Sequence, residues 1–286
     1  MTQPFSETVP HILANHFLRP ASAFGKPVCR LGLASHGDTA ITPDDIHLAL
    51  DRGVNFLNWA GDEDVFSRTI AALGPRRDDV IVCVQFAART AADAGEELRS
   101  VLAAIKSDYV DILTFYYVEE LGEWGRLVGA GGALEYCRAA QRDGRVRRLG
   151  ITTHQRPLAA EAARSGKLDL LMVRYNAAHR GAETEVFPEA DAARMPVIAY
   201  TALRWGGLLR PTPDDPPGFT PPPAPEWYRF VLQNPSVAVA LAAPHDRREL
   251  EHDLTVLDAT HPLTPDEYER LAEHGRRVRR HGGGFP

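Results

Sequence analysis

From residue 28 onward, short apolar runs alternate with stretches in which apolar residues recur at helical spacing. The runs at 28–35, 54–59, 79–86, 109–118, 146–153, 168–176, 196–202 and 237–243 lack the strict apolar/polar alternation of a half-exposed strand. Val80-Ile81-Val82-Cys83-Val84 is the clearest example, and it suits a strand buried on both faces. Between the runs, 42–52, 64–73, 90–107, 124–142, 158–165, 183–194, 225–233 and 246–257 predict helices, with Leu98, Val101, Leu102 and Ile105 forming one apolar face. A last amphipathic helix is predicted over 264–280. Thr42-Pro43-Asp44-Asp45 and Thr264-Pro265-Asp266-Glu267 each supply a capping hydroxyl, a proline at the first helical position and early acids, and Asp143-Gly144 is a helix stop.

Eight strands, each followed by a helix, predict an α/β fold of the closed (β/α)8 TIM-barrel type. An open doubly wound sheet is the alternative, but it would want Gly-x-Gly-x-x-Gly after the first strand, where the chain has His36-Gly37-Asp38-Thr39. The 286 residues suit one such barrel over 28–286, including the C-terminal helix, with 1–27 as an N-terminal arm and hairpin. Barrels of this type keep their chemistry at the carboxyl ends of the strands, which makes Asn58 at the end of the second run a site residue and places any small-molecule ligand at that face. The proline-rich piece 211–225 is the longest irregular segment, suited to a lid or a substrate wall.

Composition narrows the partners. A formal charge of -6 offers no basic surface for nucleic acid. The N-terminus has no basic start followed by an apolar run, and no segment approaches eighteen continuous apolar residues, so neither a leader nor a membrane span is expected. Cys29, Cys83 and Cys137 are odd in number, widely spaced and without a CxxC, which argues against disulfides or zinc and for a reducing, cytoplasmic setting. Oligomeric state leaves no signature in the pattern.

Several stretches occur in a telling order: Arg30-Leu31-Gly32-Leu33, Ala49-Leu50-Asp51-Arg52-Gly53-Val54-Asn55-Phe56-Leu57-Asn58-Trp59-Ala60, Tyr109-Val110-Asp111-Ile112, Gly144-Arg145-Val146-Arg147-Arg148-Leu149-Gly150-Ile151-Thr152, Arg174-Tyr175-Asn176, Val197-Ile198-Ala199-Tyr200 through Gly206-Gly207, and Asn234-Pro235-Ser236-Val237. Together they resemble the successive landmarks of the aldo-keto reductases. That resemblance implies a nicotinamide cofactor across the barrel mouth and an Asp, Tyr, Lys, His tetrad that reduces a carbonyl. The tetrad does not carry over. Asn58 stands at the Asp position, Gln85 at the Lys position and Tyr116 at the His position, and the shortened loop Gly61-Asp62-Glu63 has no Tyr. Tyr116 is the replacement that keeps an ionisable hydroxyl, with Tyr117 expected to face the opposite way by strand alternation.

For NADP or NAD, the resemblance assigns Tyr200 to the nicotinamide face with Thr201 and Leu203 beside it, Thr152 and Thr153 to the carboxamide, and Met172 to the place of a glutamine. The 2′-phosphate pocket is not matched. Ala243-Pro244-His245-Asp246-Arg247-Arg248-Glu249 would bring Asp246 and Glu249 to an anion, with Arg247 and Arg248 as compensating cations after a register shift.

Asn58, Gln85 and Tyr116 are expected at equivalent heights on adjacent strands, lining a neutral polar pocket; the bland alternative is a relic whose polar groups satisfy one another. Glu63, between Asp62 and Asp64, reads as a general acid or base, or as a helix-start acid. His154 and His36 follow strands five and one at the same rim as acid–base partners, without the nearby carboxylate a metal would need, so no metal is assigned. Cys83 reads as a small buried apolar residue, Arg174, Arg204 and Trp205 as anion or aromatic contacts, and His245 and His252 as helix-start and solvent residues. Three functions follow: an atypical NAD(P)-dependent oxidoreductase acting on a small carbonyl or alcohol, with Tyr116 or a water held by Asn58 and Gln85 as donor; a lyase, isomerase or cyclase using Tyr116, Glu63 or His154; and a non-catalytic binding protein.

Overall fold

The computed structural model describes residues 24–35 and 39–282. The strands β1 (Leu31–Ala34), β2 (Phe56–Trp59), β3 (Ile81–Phe86), β4 (Val110–Phe115), β5 (Val146–Thr153), β6 (Leu170–Arg174), β7 (Val197–Tyr200) and β8 (Val237–Ala242) pair in parallel, in chain order, and close as β8 against β1. This is the (β/α)8 TIM barrel. Around it run α1 (Pro43–Asp51), α2 (Val65–Ala71), α3 (Ala91–Ala104), α4 (Leu121–Val128), α5 (Ala133–Arg142), α6 (Arg156–Arg164), α7 (Ala182–Glu185), α8 (Phe187–Ala192), α9 (Ala224–Gln233), α10 (Arg247–Leu254) and α11 (Pro265–His281).

The unbroken apolar runs follow from double burial. Outward residues such as Leu57, Val82, Val84 and Leu113 pack under the helices, while Phe56, Ile81, Cys83, Ile112, Leu170, Met172, Ile198 and Val239 fill the barrel's interior. Phe24 plugs the amino end with its ring 5.8 Å from that of Phe56. Below it, the buried Asp111 carboxylate binds Lys26 at 2.8 Å and Arg77 at 2.8 Å. The interior is full: a Cβ on Gly32 would lie 2.9 Å from Phe56 and 3.0 Å from Val239, so β1 needs glycine there.

The caps form as the sequence predicts. Thr42 with Asp45 and Thr264 with Glu267 make reciprocal capping boxes. Two predicted helices are each divided. The 124–142 stretch is split by the turn at 129–132, where Gly131 takes φ 75° and a side chain on Gly132 would collide with the Leu127 carbonyl. The 183–194 stretch is split before Pro188, whose ring cannot continue the preceding turn. Strand four ends at Phe115 rather than 118, which changes the site. The expected arm and hairpin fall mostly on residues 1–23, outside the described residues, as does His36.

Candidate active site

A cavity of about 890 Å³ opens at the carboxyl ends of the strands. Its floor is built from inward side chains of β2, β3, β5 and β6: Asn58, Gln85, Thr152 and Met172. Gln85 is the hub. Its Oε1 accepts from the hydroxyls of Thr152 at 2.9 Å and Thr114 at 3.2 Å. Its Nε2 donates to Asn58 Oδ1 at 2.9 Å and lies 3.2 Å from the Met172 sulfur. Two hydroxyl donors at its oxygen fix which way the Gln85 amide points, and this leaves the Asn58 NH2 as the next donor in the chain of hydrogen bonds.

Register corrects the expected geometry. Asn58 pairs across with Cys83, and Gln85 with Thr114, so the β4 residue in register with Gln85 is Thr114 and Tyr116 lies two residues beyond it. Thr114, unremarked in the sequence, occupies the place level with Gln85. Tyr116 stands higher, past the end of β4, with 41% of its surface exposed. Tyr117 does not face away. The backbone turns left-handed there (φ 43°), and both phenols line the cavity, stacked with ring centroids 4.1 Å apart. Burial, followed by the neighbouring Tyr116, pushes the Tyr117 phenol above its ordinary range.

His154 does not line the cavity but stands behind its aromatic wall, 4.3 Å from the Tyr117 ring and edge-on to Tyr200 at 5.6 Å. Its Nδ1 is 3.2 Å from Glu119, which also accepts from the His154 backbone N–H. Burial lowers the imidazole's proton affinity, Glu119 raises it and Arg174 lowers it; the net shift is downward, favouring the neutral ring. Glu63 is exposed and outside the cavity; Asp64 is the acid that caps α2, with Ser67. Trp59, whose indole donates to the Asp62 carbonyl, is sealed under the helices. Cys83 is an interior residue whose thiol burial pushes well above the usual range.

Among the residues assigned to a cofactor, Thr152, Met172, Tyr200, Thr201 and Leu203 line the cavity. The Tyr200 hydroxyl donates to the Thr153 carbonyl at 3.1 Å. Thr153 itself is turned out of the cavity, its hydroxyl accepting from the Gln155 N–H, so it cannot take the carboxamide role. Arg247 and Arg248 are likewise outside the cavity. Arg247 is held by Asp45 at 3.0 Å and Glu251 at 2.9 Å, and Arg248 is exposed. Arg204 donates to the Gly282 carbonyl, while Trp205 lies on the cavity's lip, 57% exposed.

The far wall is lined by Tyr228, Glu249, His252, Asp253 and His245. The sequence sets Glu249 against an anion and reads His245 and His252 as helix-start and solvent residues, but gives no sign of Tyr228. The 249, 252, 253 spacing puts those three on one helix face. The Asp253 carboxylate is 4% exposed and accepts from the Tyr228 hydroxyl at 3.1 Å. Burial pushes its pKa up to about 7, the Tyr228 hydrogen bond works against the rise, and Glu249 adds to it. From the loop 211–225, prolines 221 to 223 close one side, and Asp215 ties that loop to α11 through Arg277 at 2.6 Å and His274 at 3.2 Å.

A closed parallel barrel with one deep polar-floored cavity at the carboxyl ends of its strands defines the class: TIM-barrel proteins whose ligand site is the strand-end face. Within that class, the chain belongs to the aldo/keto reductase family, whose model matches residues 32–226. Its fold is similar to that of aldo-keto reductase AKR11C1 from Bacillus halodurans in the holo form, with a TM-score of 0.72 and 18% identity over 87% of this chain and 93% of that one. It is similar also to an aldo-keto reductase from Klebsiella pneumoniae in complex with NADPH, with a TM-score of 0.69 and 18% identity over 87% and 92% of the two chains. No curated protein sequence matches the chain.

Proposed function

We propose that the chain is a nicotinamide-dependent oxidoreductase acting on a small carbonyl or alcohol, with a phenol at the exit of β4 as its proton donor in place of the family's tetrad. The observation that carries this is the stacked pair Tyr116 and Tyr117 above a floor built from Asn58, Gln85, Thr152 and Met172, none of them ionisable. Family membership supports the cofactor class, as does the NADPH held by the relative from Klebsiella pneumoniae.

Tyr200, Thr201 and Leu203 offer the nicotinamide ring an apolar face and a backbone turn. When bound, the dinucleotide supplies or takes up a hydride. The remaining work falls to the chain's own groups. The Asn58 NH2 orients the substrate oxygen. Tyr117, kept protonated by burial, donates a hydrogen bond to it, and the more exposed Tyr116 passes its proton to that same oxygen as it becomes an alkoxide and regains one from water. A phenol without a lysine beside it is a poorer acid, and the loss of a tuned donor forfeits roughly 10² to 10⁴ in rate.

The inward-turned hydrogen bonds around Gln85 favour a second reading, in which the same mouth serves a lyase, isomerase or cyclase, or a non-catalytic binding protein. Titration with NADH and with NADPH, followed through Trp205 fluorescence, separates the two. Binding of at least one below millimolar is expected, and binding of neither removes the redox reading. Tyr116→Phe should then lower turnover about 100-fold with cofactor affinity unchanged; full activity in that variant would place the donor elsewhere. We further propose a reducing, cytoplasmic setting, supported by three free, buried cysteines. Among the described residues no helix is long and apolar enough to cross a membrane.

A further inference from the structure

The two ends of the cavity differ in charge. At the aromatic end the lining is neutral, and at the end beyond β8 it includes the carboxylates of Glu249 and Asp253. Helix α10 begins at this end, and a helix start with open amides would welcome a phosphate. Here two of the backbone amides are already spent on the chain's own acids. The Asp246 carboxylate accepts from the Glu249 N–H at 2.9 Å, and the Glu249 carboxylate accepts from the His245 N–H at 2.8 Å. Of the nearest sequence cations, Arg247 is committed to Asp45 and Glu251, and Arg248 is exposed and outside the cavity lining. Arg210, on the loop after β7, is the arginine among the cavity's lining residues. A dianionic group placed beside α10 would therefore face the carboxylates of Glu249 and Asp253, and one seated on the Glu249 amide would also displace the Asp246 cap.

We propose that this end of the cavity excludes a phosphate and takes a pair of hydroxyls in its place, which makes NADH rather than NADPH the dinucleotide this chain binds. The inference rests on the reading that a nicotinamide dinucleotide lies in the cavity. NADPH differs from NADH by one phosphate on the adenosine ribose, whereas the unmodified ribose presents hydroxyl donors that carboxylates accept. Burial has raised the pKa of Asp253 to about 7, so its carboxyl is mostly charged at pH 8, where its opposition to a phosphate is greatest.

The test is calorimetric titration of the full chain at pH 8 with NADH, NADPH, ADP-ribose and 2′-phospho-ADP-ribose, at low and at high salt. The expected result is at least tenfold tighter binding of each ligand that lacks the 2′-phosphate. Salt should narrow that ratio, because it screens the exposed Glu249. Glu249→Gln should narrow it further, and Glu249→Arg should reverse it; Glu249 sits on the helix surface, so neither change disturbs the core. Equal or tighter binding of the 2′-phosphorylated ligands overturns the inference and leaves the nicotinamide reading standing, and loss of that preference in Arg210→Gln would identify the cation responsible. Binding of the ADP-ribose pair with the expected selectivity, but of neither dinucleotide, removes the nicotinamide reading and upholds the selectivity. Failure of all four ligands to bind overturns both.

Discussion

Gln85 is a neutral amide, and its hydrogen bonds to Asn58, Thr114 and Thr152 hold the floor together. With Leu at this position, two threonine hydroxyls and the Asn58 carbonyl would lose a buried partner, each costing about 1 kcal/mol or more. Gln85→Leu should accordingly lower unfolding stability by about 3 kcal/mol in urea; a loss under about 0.5 kcal/mol would mean that water serves those groups equally well. Asp253 makes the opposite demand. Its folded pKa, about 7, lies above the ordinary 3.8, so the folded state binds the extra proton between those values. Its contribution to stability is intact below about pH 4 and is lost as pH rises through 7, by roughly 4 kcal/mol at most. Asp253→Asn should flatten that part of the stability profile and leave the protein more stable than the parent at pH 8. An unchanged slope between pH 4 and 7 would show that Asp253 ionises normally.

Among the elements, the cavity wall formed by 211–225 depends on a helix far along the chain. Asp215, nearly buried, meets Arg277 and His274 of α11, and the more exposed Asp214 meets Arg280 and His281. Burial works against the Asp215 charge, but the Thr212 amide, Arg277 and His274 outweigh it and hold the carboxyl down to about 2. Asp215→Ala strands a half of this pair and should cost about 3 kcal/mol, with weaker ligand binding as the proline wall loosens. If stability fell but affinity held, the wall would not be part of the ligand site. That the loop would wall a cavity could be read from its length and prolines. Its anchor could not, because no local signal joins Asp215 to residues some sixty positions later. The fourth strand shows the same limit at short range: alternation turned Tyr117 away, whereas the strand stops at Phe115 and a left-handed residue turns the phenol inward.

At the level of the whole molecule, the barrel seals its reactive groups. Cys29, Cys83 and Cys137 are buried, and burial pushes the thiols of Cys29 and Cys137 up to about 12. Native protein at pH 8 should react negligibly with a thiol-specific disulfide reagent over minutes, and all three cysteines should react after denaturation. Fast labelling of the native state would reveal an opening of the barrel that its packing does not suggest.

The sequence by itself determined the barrel and the order of its strands, and it put neutral Asn58 and Gln85 at the strand ends, because these depend on local periodicity and on residue identity. It also held the acids at 246 and 249 that oppose a phosphate. The tertiary structure alone decided that Thr114 and not Tyr116 is level with Gln85, that Arg247 is spent on Asp45, and that Glu249 and Asp253 share a cavity with Tyr200. The reason is closure. When β8 meets β1, residues some two hundred positions apart, such as Asp45 and Arg247, come together, and which of them meet depends on register, on where each strand ends and on which ion pairs form, none of which a single stretch of chain encodes.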